Sequence, residues 1–301
     1  MKIVVGVDGS EASRAALRFA LDEAAATGAD LVALGSWEPP VAPVAGALAV
    51  AYTPPADPTE AMSPWMTEAI DAVRREGDPP VAIEVRTGPP SGVLLEAAGD
   101  ADHLVLGTRG QGKLASAFLG SVSHQVANHA PCPLTVVPAD GGEVNVGGPV
   151  VVGVDGSENA AAALRWAAQR ARREGVGLRA VSAWHDQRTN WVPDTQVDDL
   201  NAAVTEMERH ADEVLKTAVA ASGLPEGVEV ERVVAEGPAA RVVREAATDA
   251  SMVVLGARGR GGFLGLLLGS AVSRYLNHVD RPVTVIPAVA GSSSDSAGAG
   301  S

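Results

Sequence analysis

The octapeptide VVGVDGSE occurs twice in this chain of 301 residues, at 4–11 and again at 151–158. Other segments repeat with it in the same order. AALRFA at 15–20 answers AALRWA at 162–167, and Trp37 answers Trp184. TGPPSGVLLEAAGDADHLVLGTRG at 87–110 answers EGPAARVVREAATDASMVVLGARG at 236–259, and PCPLTVVP at 131–138 answers DRPVTVIP at 280–287. A repeat of this length is a duplicated domain and not a solenoid period, so each copy has to bury a core of its own. The reading sets one domain at 1–140, a Gly-rich joint at 141–148, a second domain at 149–288, and a Gly/Ser tail at 289–301. The tail has too little apolar surface to fold and is expected to be disordered.

Within each copy, short apolar runs alternate with stretches of helical period. In the first, strands are expected near 2–8, 30–37, 81–87, 102–108 and 133–138, and helices near 11–27, 59–76, 91–99 and 118–129. IVVGV is apolar almost throughout and rich in β-branched residues, as a strand covered on both faces has to be. Ser10 before Glu11 predicts a helix start, and Gly28 its stop. Alternating strands and helices with right-handed crossovers predict an α/β fold of two tandem, doubly wound parallel sheets. Aromatics make up only 3% of the chain, so Val, Leu, Ala and Ile must fill the cores. The Pro- and Ala-rich segment 38–58 has no period and reads as a loop, either a tolerated insertion or a lid near the strand ends.

The chemistry is concentrated after the fourth strand of each copy. Gly107 and Gly110 are followed, nine residues on, by Gly120-Ser121; Gly256 and Gly259 are followed in the same way by Gly269-Ser270. Gly107 closes the run HLVLG, which puts the turn at the carboxyl end of a strand, where glycines let a ligand approach the backbone. Gly120-Ser121 then opens a helix whose free N–H groups, hydroxyl and dipole suit an anion. Two amide-rich turns facing each other would cradle a polyphosphate. Asp8 and Asp155 end the first strand of each copy. Their plainer reading is an Asp-Gly-Ser turn, just as Ser121 and Ser270 could be helix caps alone.

The glycine spacing, VGVDGS at the first strand and P-[LV]-T-V-[VI]-P at the last resemble the universal stress protein family, in its ATP-binding branch. The resemblance covers residues 1–139 and 149–288. It implies a sheet order of 3-2-1-4-5 in each copy, with strands one and four adjacent at the switch point where ligands bind. It further implies that Asp8 and Asp155 contact ribose hydroxyls or a phosphate-bound metal ion, Mg. Gly107, Gly110, Gly120, Ser121, Val122 and Ser123 would hold phosphate in the first copy; Gly256, Gly259, Gly269, Ser270, Ala271 and Val272 would do so in the second. The backbone around Trp37 and Trp184 would read adenine, while the indoles themselves fit packing better than stacking. The implied function is an ATP-binding regulator of the stress response, with two ATP sites per chain. The repeats are expected to associate as a pseudo-dimer through their last strands, with a homodimer as a further step and the regulatory partner unknown.

Other readings fare worse. GTRGQGKL at 107–114 nearly spells a Walker A loop, but Leu114 stands where the magnesium-binding hydroxyl belongs and the second copy lacks the lysine. Lys113, Arg109, Arg258 and Arg260 could neutralise phosphate or be solvated loop charges. No G-x-G-x-x-G follows the first strand, so a dinucleotide site is not expected. His129 and His278 recur in Asn-His pairs at a helix end, where a polar tie explains them. The single cysteine, Cys132, has no counterpart in the second copy and excludes an intrachain disulfide. The net charge of -14 argues against nucleic acid and anionic membrane as partners. The amino-terminal apolar run ends at Asp8 and reads as a strand, no segment is long and apolar enough to cross a membrane, and a cytoplasmic location is expected. No catalytic triad or acid–base pair recurs, which favours binding over turnover; the alternative is a slow ATPase or nucleotidyl-transfer enzyme, and a nucleotide-free interaction module ranks below both.

Overall fold

The computed structural model describes residues 1–39, 57–110, 119–142, 145–184, 197–259 and 268–288, with only the backbone at 197–203. The chain divides into two compact units, Met1–Val144 with Leu276–Thr284, and Asn145–Tyr275 with Val285–Ser301. The first repeat runs β1 (Lys2–Gly6), α1 (Glu11–Thr27), β2 (Asp30–Trp37), α2 (Pro58–Asp71), β3 (Val81–Thr87), α3 (Pro90–Ala98), β4 (His103–Gly107), α4 (Ser121–His129) and β5 (Leu134–Val137). The second runs β6 (Val150–Gly153), α5 (Glu158–Glu174), β7 (Leu178–Trp184), α6 (Val197–Ala221), β8 (Val230–Glu236), α7 (Ala239–Ala246), β9 (Met252–Gly256), α8 (Ser270–Leu276) and β10 (Val283–Ile286).

The strand order of the first repeat is β3-β2-β1-β4-β5 and that of the second β8-β7-β6-β9-β10. The β1–β2, β1–β4, β2–β3 and β4–β5 ladders are parallel, as are β6–β7, β6–β9 and β7–β8. The fold is the doubly wound α/β arrangement the alternation predicts. Chain order reverses between β1 and β4, and between β6 and β9. The segments leaving those strands therefore diverge to opposite faces and leave a crevice at their carboxyl ends.

Helix α1 shows why the sheet folds this way. Ala12, Ala16, Leu17, Ala20, Leu21 and Ala24 are buried, a stripe at helical spacing with alanine at the closest approaches. The stripe packs on Ile3, Val5, Leu31 and Ala33 of the sheet. Ser10 caps the helix by accepting from the Ser13 amide, and Gly28 ends it in the left-handed region at φ 66°. Ser157 and Gly175 do the same for α5, with φ 66° again at the glycine. Both cores are built from Val, Leu, Ala and Ile, as the shortage of aromatics requires.

Helix α2 ends at Asp71, short of the expected 76. The cause is an arginine on the neighbouring helix. Arg18 of α1 donates to the Val73 carbonyl at 2.8 Å and to both oxygens of Asp78, at 2.5 and 2.8 Å, while the Arg75 amide donates to Asp78 Oδ2 at 2.7 Å. The chain turns to reach this arginine, through Gly77 at φ 88°. The Arg18 guanidinium and the Arg75 amide hold the Asp78 carboxyl down at about 2. A depressed carboxyl stabilises the fold above its unfolded value, near 3.8, and loses that contribution as pH falls toward about 2. Asp78→Ala is expected to cost on the order of 1–2 kcal/mol at neutral pH and to flatten the stability profile between about pH 4 and 2. Urea unfolding of both proteins across that window checks it; parallel profiles would show the clasp to be idle. The second repeat is pinned elsewhere. Arg179 of β7 donates to Glu231 at 2.6 Å, to Asp249 at 2.5 Å and to the Ala246 carbonyl at 2.7 Å.

Candidate functional site

At the switch point of the first unit lies a cavity of about 520 Å³. Its residues come from four directions. Val7 and Asp8 follow β1; Leu34 and Ser36 lie on β2; Pro90 and Leu94 belong to α3; and Gly107, Arg109 and Gly110 follow β4, facing Gly120 through Ser123 at the start of α4. Asp8, Gly107, Gly110, Gly120, Ser121, Val122 and Ser123, separated by up to 115 positions in sequence, thus surround one space. The second unit holds a cavity of about 480 Å³ lined by Asp155, Gly256, Gly259, Gly269, Ser270, Ala271 and Val272.

The glycines are needed for contact reasons that differ by position. A Cβ on Gly107 would lie 2.6 Å from the backbone carbon of Ala12, because α1 crosses directly over the end of β4. A Cβ on Gly256 would meet Asn159 of α5 at 2.7 Å. Gly110 instead faces a carboxylate: a Cβ there would overlap Asp8 Oδ2, and one on Gly259 would overlap Asp155 Oδ2. The aspartate at the end of the first strand therefore rests on the glycine turn of the fourth, as the strand order requires.

Hydrogen bonds fix this arrangement. Asp8 Oδ1 accepts from the Ser10 amide at 3.0 Å, so the Asp-Gly-Ser turn is present and leaves Oδ2 over Gly110. Ser10 Oγ accepts from the Ser13 amide at 3.1 Å and donates to the Arg109 carbonyl at 3.1 Å. Asp155 and Ser157 repeat the pattern, at 3.0 Å to the Ser157 amide and 3.4 Å to the Arg258 carbonyl. Ser123 Oγ donates to the Gly107 carbonyl at 2.8 Å, which ties α4 to the strand end. Helix α4 has Gly120 as its N-cap, with no side-chain bond to its first amides. Ser121 is the first helical residue, not the cap, and the helix start faces the cavity with its N–H groups.

A family model described as the universal stress protein family matches residues 1–138 and 148–287. The chain belongs to this family. Similar relatives span most of its length: a universal stress protein of Mycobacterium tuberculosis is 34% identical, covering 94% of this chain and 96% of its own. One of Mycolicibacterium smegmatis is 31% identical over the same shares, 94% and 96%. Among solved structures, a universal stress protein of Archaeoglobus fulgidus superposes with a TM-score of 0.60 at 19% identity, covering 95% of this chain and 98% of that one, a likeness of fold. This universal stress protein is thus a tandem of two family domains.

Three features of its cavities escape a reading of the repeated motifs. Ser10 and Ser157 are tethers to the glycine turn as well as caps. The ends away from the glycine turns are mainly apolar, formed by Leu34, Pro90, Leu94 and Leu106 with Ser36 in the first unit and by Val181, Ala239, Val243 and Leu255 in the second. Leu34 and Ser36 form a two-residue alternation on β2 that could have flagged this wall. Tyr275, fully buried, lines the second cavity and stacks under Arg244, whose guanidinium is 4.9 Å from the ring centre. Trp37 and Trp184 line neither cavity. The carbonyls of these tryptophans accept from Gly88 and Gly237 at 3.0 and 2.8 Å.

The remaining singled-out residues lie apart. His129 ties off its own helix, Nδ1 lying 2.9 Å from the Gln125 carbonyl. Cys132 is buried, and burial pushes its thiol up to about 11, away from nucleophile chemistry. Lys113, Arg260, most of the segment 38–58 and the tail fall outside the described residues. Among the described residues, no cluster of three His, Cys, Asp or Glu side chains could hold a metal, and no helix is long and apolar enough to cross a membrane.

Proposed function

We propose that this universal stress protein is an ATP-binding regulator with one nucleotide site in each unit, occupancy setting its conformation or its choice of partner in the stress response. One observation carries the reading. Each cavity runs from an apolar end to a glycine turn facing a helix start, with a carboxylate between, and does so twice in one chain. Apolar walls suit a purine, a carboxylate suits ribose hydroxyls, and converging backbone amides suit phosphate. Asp8 and Asp155 are one carboxylate per site. That donor set fits Mg as an ion carried by the phosphates and touched by the aspartate, not as one held by protein alone. Bound in this way, the ion would neutralise phosphate charge.

Binding is favoured over turnover by what surrounds the phosphate end. Among the described residues of the first cavity, the charged side chains are Asp8 and Arg109, and Asp8 is held in its turn by Ser10. The two repeats carry no recurring catalytic triad or acid–base pair in their sequence, the pattern that rapid turnover at both sites would call for. A location in the cytoplasm belongs to the same proposal, since that is where ATP is at hand.

Purified protein, heat-denatured and chromatographed, is expected to release adenine nucleotide, and emptied protein to take up two ATP per chain by calorimetry. Asp8→Ala with Asp155→Ala is expected to weaken that uptake about tenfold, the loss of one charge-assisted contact per site. Protein that arrives empty and binds no added ATP would remove the proposal. Fast phosphate release abolished by the aspartate changes would move it to an enzyme.

A further inference from the structure

The two cavities share every motif position and differ where the motif is silent. Ser13, Ser36 and Ser123 line the first cavity; the matching positions of the second are Ala160, Ala183 and Val272. Three hydroxyls have been replaced by hydrocarbon while the glycines and the aspartate are kept.

The three serines are not equivalent. Ser13 Oγ donates its proton to the Ser10 carbonyl at 2.9 Å, and Ser123 Oγ gives its own to the Gly107 carbonyl at 2.8 Å. Both can still accept, but both lie beside the strand ends and the helix starts. Ser36 stands elsewhere. On β2 the side chains alternate: Gly35 faces α2, where a Cβ would meet Met62 at 2.8 Å, so Leu34 and Ser36 face the opposite way, into the cavity. Among the described residues, a nucleotide with phosphates between Gly110 and Gly120 and ribose at Asp8 has the end made by Leu34, Ser36, Pro90 and Leu94 for its base. Ser36 is thus the polar side chain at the base end of the first cavity. At the matching positions the second carries Val181, Ala183, Ala239 and Val243, all apolar, and Tyr275 of α8 also lines that cavity.

We propose that Ser36 selects the base in the first site, and that the second site, with Ala183 in its place, lacks this selection. The inference rests on the nucleotide reading above. A hydroxyl facing a purine edge supplies one hydrogen bond to a base that has partners for it. It leaves the first site with an unsatisfied polar group when the base has none. The second site meets no such cost at Ala183. Two sites on one chain then respond differently to a pool of mixed nucleotides.

The test is a calorimetric titration of the full chain with ATP and with benzimidazole riboside triphosphate, whose base keeps the purine outline but lacks the ring nitrogens and amino group of adenine's six-membered edge. The analogue is expected to bind in two classes, with its penalty relative to ATP about 5–10-fold larger at one site. Ser36→Ala should merge the classes by relieving the larger penalty, and Ala183→Ser should merge them by raising the smaller. One class for the analogue in the wild-type chain, or a Ser36→Ala protein that keeps both classes, overturns base selection and leaves nucleotide binding standing. No uptake of either compound overturns both.

Discussion

Alanine in place of Gly107 is expected to cost the first unit about 3 kcal/mol, a fall of about 10 °C in its melting temperature. The new methyl would sit 2.6 Å from the carbonyl carbon of Ala12, well inside van der Waals contact, and the obstacle is helix backbone. No rotamer relieves it. Either α1 lifts away from β4, opening the alanine-lined seam that lets the helix lie so close, or β4 is pushed out of register with β1 and β5. The same change at Gly256 meets Asn159 at 2.7 Å and should cost the second unit a similar amount. Calorimetric melting of each variant checks both. An unshifted transition would mean that α1 can rise at no cost, against the burial of Ala12, Ala16 and Ala20 beneath it.

Three residues further on, the same substitution should have the opposite signature. At Gly110 the obstacle is Asp8 Oδ2, the tip of a side chain and not backbone, and at Gly259 it is Asp155 Oδ2. A carboxylate can turn aside at less cost than a helix backbone can move, straining its bond from the Ser10 or Ser157 amide, but it then leaves the cavity, and the added methyl stands where phosphate would approach the backbone. Gly110→Ala with Gly259→Ala is expected to leave the melting temperature within about 2 °C while ATP affinity falls about 100-fold, near 2.7 kcal/mol per site. This exceeds the loss expected from removing the aspartate alone, because the close approach is lost with it. Calorimetric titration beside a melting curve separates the two effects. Unchanged affinity would show that the turn does not face the ligand.

The repeated elements were legible from the chain itself because the duplication states them twice. IVVGV and VVVGV can only be strands buried on both faces. Ser10 and Gly28 mark the ends of α1 by capping chemistry that is local. The gathering of Asp8 with Gly110 follows from strand order, which the family resemblance supplied and periodicity could not. What stayed hidden depends on single side chains reaching across sequence. The early end of α2 is set by Arg18, on the helix before it. The start of α4 at Ser121, by contrast, is the helix opening that Gly120-Ser121 predicts, with Gly120 as the cap. The contrast of Ser36 with Ala183 lies at positions where the copies disagree, and a search for agreement passes over them.

The hydroxyl of Ser10 has a consequence for how readily the cavity could receive anything. One oxygen accepts from the first turn of α1 and donates to the carbonyl of Arg109, so the helix start and the glycine turn are fastened through a single atom. The carboxylate of Asp8 is held by the amide of that same serine. Three walls of the recess are thus set when the domain folds. The entropy of arranging them is met before any ligand arrives and is not subtracted from its affinity. A seat assembled in advance can hold a small molecule through few contacts, and the paired seat on Ser157 gives the chain a second one made the same way.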